Sequence, residues 1–128
     1  MTHLLLALLL AAPPTQSTSA APLEYYDARK LADADEAGMV GAARDAMQAA
    51  QRQLLDAGVV ECSLGKSHTD FSAFAIVLEL DAEGRVGQTW RQGGSPLAIC
   101  LQRYMRDKIL FVPPKAPFHS VLEVSFTE

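Results

Sequence analysis

The sequence predicts an α+β fold: an antiparallel sheet of three to four strands packed on two helices, in two layers. Three observations carry this. Residues 71–91 alternate apolar and polar side chains in two runs separated by Asp81-Ala82-Glu83-Gly84, the pattern of a β-hairpin. Val40, Ala43, Met47, Ala50 and Leu54 recur at helical spacing, which makes residues 35–55 an amphipathic helix. Ser95-Pro96 opens a second helical stripe of Leu97, Leu101, Tyr104 and Met105, with Ser suited to the cap and Pro to the first helical position.

The chain has 128 residues, with 11 Lys and Arg against 15 Asp and Glu, for a formal charge of −4. That length suits one domain and excludes a TIM barrel or a full dinucleotide fold. An acidic balance argues against nucleic-acid binding through bulk charge. Hydrophobic residues at 49% and charged residues at 20% exclude a disordered chain.

Taken in order, Leu4 to Ala12 is an uncharged apolar run, much shorter than the ~20 residues a membrane span needs. Pro13 and Pro14 end it, and Thr18-x-Ala20 and Ser19-x-Ala21 fit a small-residue cleavage site. Residues 1–20 therefore read as a secretory signal peptide, although no Lys or Arg precedes the run. Residues 21–34, with Pro22 and Tyr25-Tyr26, read as an extended arm, and residues 35–128 as a single α+β domain. Asp33, Asp35 and Glu36 are expected at the positive end of the first helix, which Gly58 should stop. Val59 to Leu64 is expected as a short strand and Phe71 to Leu80 as the main one, paired through the turn with residues 85–91. The second helix is expected to reach about Lys108. Val112-Pro113-Pro114-Lys115-Ala116-Pro117 can be neither helix nor interior strand, and Ser120 to Phe126 closes the chain as a last strand.

Cys62 and Cys100 form an even pair in an exported chain, and both fall on apolar stripes. A disulfide stapling strand to helix is expected. The pair lacks the Cys-x-x-Cys spacing of a redox centre, and two Cys with scattered His do not make a zinc site.

The chain shows little catalytic machinery. His68 and His119 are the histidines of the mature part, and no Gly-x-Ser-x-Gly elbow accompanies them. Glu79, Asp81 and Glu83 cluster at a hairpin tip, and Gly93-Gly94 lacks the Lys-Ser/Thr of a phosphate loop. Arg85, Arg91, Arg103 and Arg106 read as a scattered solvated set, and Trp90 as a core residue. No catalytic residue, cofactor or metal is expected.

Gly84-Arg85-Val86 after an alternating strand, Ser95 and Leu97 opening a helix that contains Cys100, then Phe111-Val112-Pro113-Pro114 and a last strand ending at Phe126 succeed one another in a familiar order. This second half of the chain resembles the C-terminal domain of the TonB/TolA superfamily, including the related gliding-motility domains. The resemblance implies a two-layer α+β unit in the bacterial periplasm that binds other proteins through a sheet edge. It does not bring energy transduction with it, because TonB-like proteins carry a membrane anchor and a long Pro-rich spacer that residues 4–33 do not supply.

The expected function is thus a small exported, periplasmic, non-catalytic protein-binding module. Its candidate binding edge is Val121, Leu122, Glu123, Val124, Ser125 and Phe126, and its partner another periplasmic or envelope protein. The alternatives are an immunity or inhibitor protein that neutralises a periplasmic toxin or wall hydrolase, and a small hydrolase using His68 or His119.

Overall fold

The computed structural model describes residues 22–127, and the expected signal peptide at residues 1–20 lies outside them. The elements are α1 (Tyr25–Ala37), α2 (Gly41–Ser63), β1 (Phe74–Leu80), β2 (Val86–Gln92), α3 (Pro96–Met105) and β3 (Phe118–Val124). The strands form one antiparallel sheet in the order β2-β1-β3. The α+β class and the antiparallel sheet are as the sequence predicts. The number and placement of the helices are not.

The hairpin forms where its turn chemistry demands. Asp81 Oδ1 accepts the backbone N–H groups of Glu83 and Arg85, and Gly84 takes φ 84°. Any side chain on Gly84 would also collide with the backbone of Phe111. One β-bulge interrupts the pairing, because Leu78 pairs with Thr89 but Leu80 pairs with Val86. On the other side β1 runs in continuous register with β3, from Phe74 opposite Val124 to Leu80 opposite Phe118.

Alternation along the strands then builds two cores. Phe74, Ile76, Leu78 and Leu80 of β1 join Phe118 and Leu122 of β3 against Leu97, Leu101 and Met105 of α3 and Met47 and Cys62 of α2. On the opposite face, Val77 and Trp90 pack against Ala28 and Ala32 of α1, with Tyr25 and Val121 at the margin. The helices therefore lie on both faces of the sheet, and β1, its central strand, is buried from both sides. The two-layer expectation with helices on one face is corrected accordingly.

The cause is α1, which replaces the extended arm expected at residues 21–34. Tyr25, Ala28 and Ala32 fall on one helical stripe. The two alanines are fully buried, and their small side chains let the helix approach the sheet closely. The N-terminal end is tied down where the indole Nε1 of Trp90 donates to the Leu23 carbonyl at 2.7 Å. Asp35 and Glu36 consequently sit in the last turn of α1 rather than at the start of the next helix. The break falls at Gly38, and α2 begins at Gly41 with φ 57°.

α2 also absorbs the strand expected at Val59 to Leu64. Gly58 does not stop the helix; it is where α2 meets α3. A Cβ there would lie 2.7 Å from Leu101 Cδ2 and 2.8 Å from Tyr104 Cδ1. Cys62 is bonded to Cys100 of α3 and Val59 packs against the same core, so this stretch is buried as helix. The Cys62–Cys100 disulfide is present, with 5.9 Å between Cα atoms, but it joins helix α2 to helix α3. β3 begins at Phe118, two residues earlier than expected, because Phe118 is buried opposite Leu80. It ends at Val124, so Ser125 and Phe126 lie beyond it, where Phe126 stacks edge-on against Phe71. No helix among the described residues is long and apolar enough to cross a membrane.

Closing a loop of 38 residues by the disulfide stabilises the fold by about 4 kcal/mol in the chain-entropy model. Replacing both Cys62 and Cys100 by Ala should lower the unfolding free energy by about 2–4 kcal/mol in urea titration. Gly58→Val should cost about 1–3 kcal/mol by overpacking the α2–α3 crossing.

Candidate functional site

A three-stranded open sheet has two edges, and the chain treats them differently. β3 is an edge strand, as the sequence suggests. Its outward backbone N–H groups are nevertheless occupied by carboxylates from the end of α1. His119 N–H donates to Asp35 Oδ2 at 2.9 Å, and Val121 N–H donates to Glu36 Oε1 at 3.1 Å. Glu36 Oε1 also accepts from Ser120 Oγ at 2.9 Å and from Gln51 Nε2 at 2.7 Å, so one carboxylate oxygen gathers α1, α2 and β3. Asp35 is held in turn by Lys115 Nζ at 2.7 Å. Further along, Glu123 pairs with Arg29 of α1, which also bonds Tyr25 and Asp33. Desolvation opposes the charge of Arg29, but the bonds to Glu123, Tyr25 and Asp33 outweigh it and raise its pKa above the usual range. Val121 is therefore not available as part of a free edge. The expected binding edge Val121–Phe126 is thus occupied at its first residue, where the α1 carboxylates reach round the strand.

The other edge is open along most of its length. Only its first residues are covered: Val86 N–H donates to the Lys108 carbonyl at 2.8 Å, and Asp107 N–H to the Val86 carbonyl at 3.0 Å. The register sets the direction of the remaining backbone groups. The outward amides of His119 and Val121 turn the even residues of β3 toward β1, which leaves Ala75 and Val77 facing Gln92 and Trp90. The N–H and C=O groups of Thr89 and Arg91 then point away from the sheet, and none has a backbone partner among the described residues. One flank of this edge is α3, docked by Gln102, which donates to Thr89 Oγ1 and accepts from Arg91 Nε. On the other flank Leu23 and Tyr26 are exposed, beside the buried Trp90, and Tyr26 accepts from the exposed Gln92.

His119 is the more enclosed of the two histidines among the described residues. Its ring is buried beside Trp90, with Nε2 3.3 Å from Glu79 Oε2 and Nδ1 3.8 Å from Asp35 Oδ2. Nε2 makes no well-aligned hydrogen bond. Ser120 is its neighbour in sequence but faces the opposite side of the sheet, bonded to Glu36 and Gln51. The structure does not bring these two together as nucleophile and base. His68 lies in the loop after α2 with Nε2 2.9 Å from the Cys62 carbonyl. Asp70 in the same loop is tied to the hydroxyl and backbone N–H of Ser72, which lowers its pKa. Among the hairpin carboxylates, Asp81 is committed to the turn, while Glu79 lies on the α1 face. Glu79, Asp81, Arg85 and Asp107 border an open cleft of about 420 Å³ at the hairpin end. The Ser95 cap is confirmed, its Oγ accepting from Ala98 N–H at 3.2 Å. No cluster of three metal-ligating side chains occurs among the described residues.

The β2 edge and its blocked counterpart escape sequence reading because edge status depends on strand order. The nearest signal was Gly38 and Gly41 so close together, which would have placed Asp35 and Glu36 at a helix end. Comparison of the chain with known protein families, with curated proteins and with solved structures finds no match.

Removing the Glu36 carboxylate should leave three donors, from Val121, Ser120 and Gln51, without their shared acceptor. Glu36→Ala is expected to cost about 2–3 kcal/mol in chemical denaturation. Glu36→Gln keeps one acceptor oxygen and should cost clearly less.

Proposed function

We propose that this chain is a small exported protein of the periplasm that catalyses nothing and binds an extended segment of another envelope protein. The open β2 edge carries this reading. The outward N–H and C=O groups of Thr89 and Arg91 offer the ladder that a partner strand needs. A row of unpaired backbone groups is a hazard that native proteins commonly cover or blunt. Here the β3 edge is blunted by two carboxylates while β2 is not, a difference that favours use over neglect. The disulfide suits an oxidising compartment, in keeping with the signal-like leader. The TonB/TolA-like order of motifs supports the same mode of recognition.

A photo-reactive residue placed at the exposed Gln88 tests this in cells. A discrete adduct is expected from position 88 and not from Gln53, which is exposed on α2 far from the edge. The adduct should disappear with Thr89→Pro, which removes an outward N–H while leaving the ladder to β1 intact. Adducts from position 53 alone would contradict the proposal. So would turnover of a wall or ester substrate that is lost with His119→Ala.

A further inference from the structure

The β2 edge differs in charge from the protein around it. Residues 85–108, which span β2 and α3, carry Arg85, Arg91, Arg103, Arg106 and Lys108 against Asp107 alone, a net charge of +4. The rest of the chain carries six basic and fourteen acidic residues, a net charge of −8. The ion pairs among the described residues join Arg29 to Asp33 and Glu123, Lys115 to Asp35, and His119 to Asp35 and Glu79. None of the five cations of the β2–α3 unit takes part in them. Arg85 donates to the Asp107 carbonyl, Arg91 to the Gly93 carbonyl and to Gln102, and Lys108 sits 4.6 Å above the Tyr104 ring. These partners are neutral; Arg85 shares its cleft with Glu79, Asp81 and Asp107, and none of the five has a carboxylate within ion-pair distance among the described residues.

The cations also lie close together, around one edge. Gln102 fixes which side of α3 faces β2, through its bonds to Thr89 and Arg91. Arg106, the C-cap of α3, follows Gln102 by four residues, and Arg103 is exposed on the outer face of the same helix, within one helix width of the edge. Arg85 stands at the start of the edge, and the Lys108 carbonyl is bonded to Val86. Six strand residues span only about 20 Å. A segment lying along the edge would therefore keep its charged groups within roughly one or two Debye lengths of all five cations.

Resting on the edge-pairing reading above, we infer that the segment the β2 edge receives is acidic: an extended polypeptide whose Asp or Glu side chains lie on the α3 side. Strand pleating puts the alternate side chains on the other face, toward exposed Leu23 and Tyr26, so apolar residues belong there. The recognised pattern is an alternation of acidic and apolar residues. The net charge of −4 points the other way, toward a basic partner, but the local field at the edge governs orientation and encounter. Nucleic acid or an anionic membrane would also be drawn to the cations, but their phosphates only accept, whereas a strand offers both donors and acceptors at the spacing of the outward N–H and C=O groups of Thr89 and Arg91.

The test uses the full chain and a fluorescein-labelled eight-residue peptide of alternating Glu and Val, with binding read by anisotropy. Its counterpart of alternating Lys and Val, a twelve-base-pair DNA duplex and phosphatidylglycerol vesicles serve as comparators. The Glu peptide should bind at least about tenfold more tightly than the Lys peptide at low salt, with the difference shrinking as salt is raised. The exposed double change Arg103→Glu/Arg106→Glu should weaken it about tenfold, and Thr89→Pro should remove binding. If Thr89→Pro fails to fold, the helix variant keeps the test decisive. Equal or tighter binding of the Lys peptide, with sensitivity to Thr89→Pro, would overturn the acidic assignment and leave the edge reading standing. No binding of either peptide would overturn both. Glu-peptide binding that ignores Thr89→Pro, or that DNA or vesicles displace equally well, would mean a polyanion surface and would also overturn the inference.

Discussion

The structure depends on two carboxylates at the end of one helix. Asp35 and Glu36 reach across the rim of β3 and take its outward N–H groups, and Glu36 also binds Ser120 and Gln51. This is where the chain passes from one face of the sheet to the other. α1 lies on the face of Val77 and Trp90, and α2 on the face of Ile76 and Leu78. The turn between them, from Gly38 to Val40, has to go round an edge, and β3 is the edge it rounds. An acidic helix end is unfavourable by dipole. It is tolerated here because the carboxylates find donors on another element.

Closing β3 constrains the other elements. β1 becomes the central strand and is buried on both sides, so it can be apolar almost throughout. α2 and α3 cover the larger core and are joined at Gly58 and at the disulfide. The segment after α3 comes back along the first residues of β2, through Val86, and then leaves it. The unpaired backbone of the sheet is thereby concentrated at Thr89 and Arg91, beside the most basic part of an acidic molecule. The carboxylates that cap β3 lie on the opposite edge of the sheet from that stretch.

Much of the fold was legible in the sequence, for local reasons. The hairpin was plain because alternation and turn chemistry are both written in consecutive residues, and α3 because Ser95-Pro96 is a strong start signal. The cysteine pairing is legible, whereas the element bearing Cys62 is not: Val59, Val60 and Cys62 fit either period in so short a run. α1 was missed because its buried stripe is mostly alanine, which carries little hydrophobic signal. The capped edge was illegible for a deeper reason. A carboxylate at position 36 bonding a backbone amide at position 121 is a long-range fact, and the same Asp-Glu pair read locally suits a helix start. Edge status likewise depends on strand order, which no single segment encodes.

Residue-resolved amide exchange in the free protein examines the two edges side by side. Slow exchange is expected at His119 and Val121, whose amides are bonded to Asp35 and Glu36, and fast exchange at Thr89 and Arg91, with Trp90 between them protected by its pairing to Val77. Protection at Thr89 and Arg91 comparable to that at His119 and Val121 would refute the assignment, since the edge given to partner binding would then already be occupied.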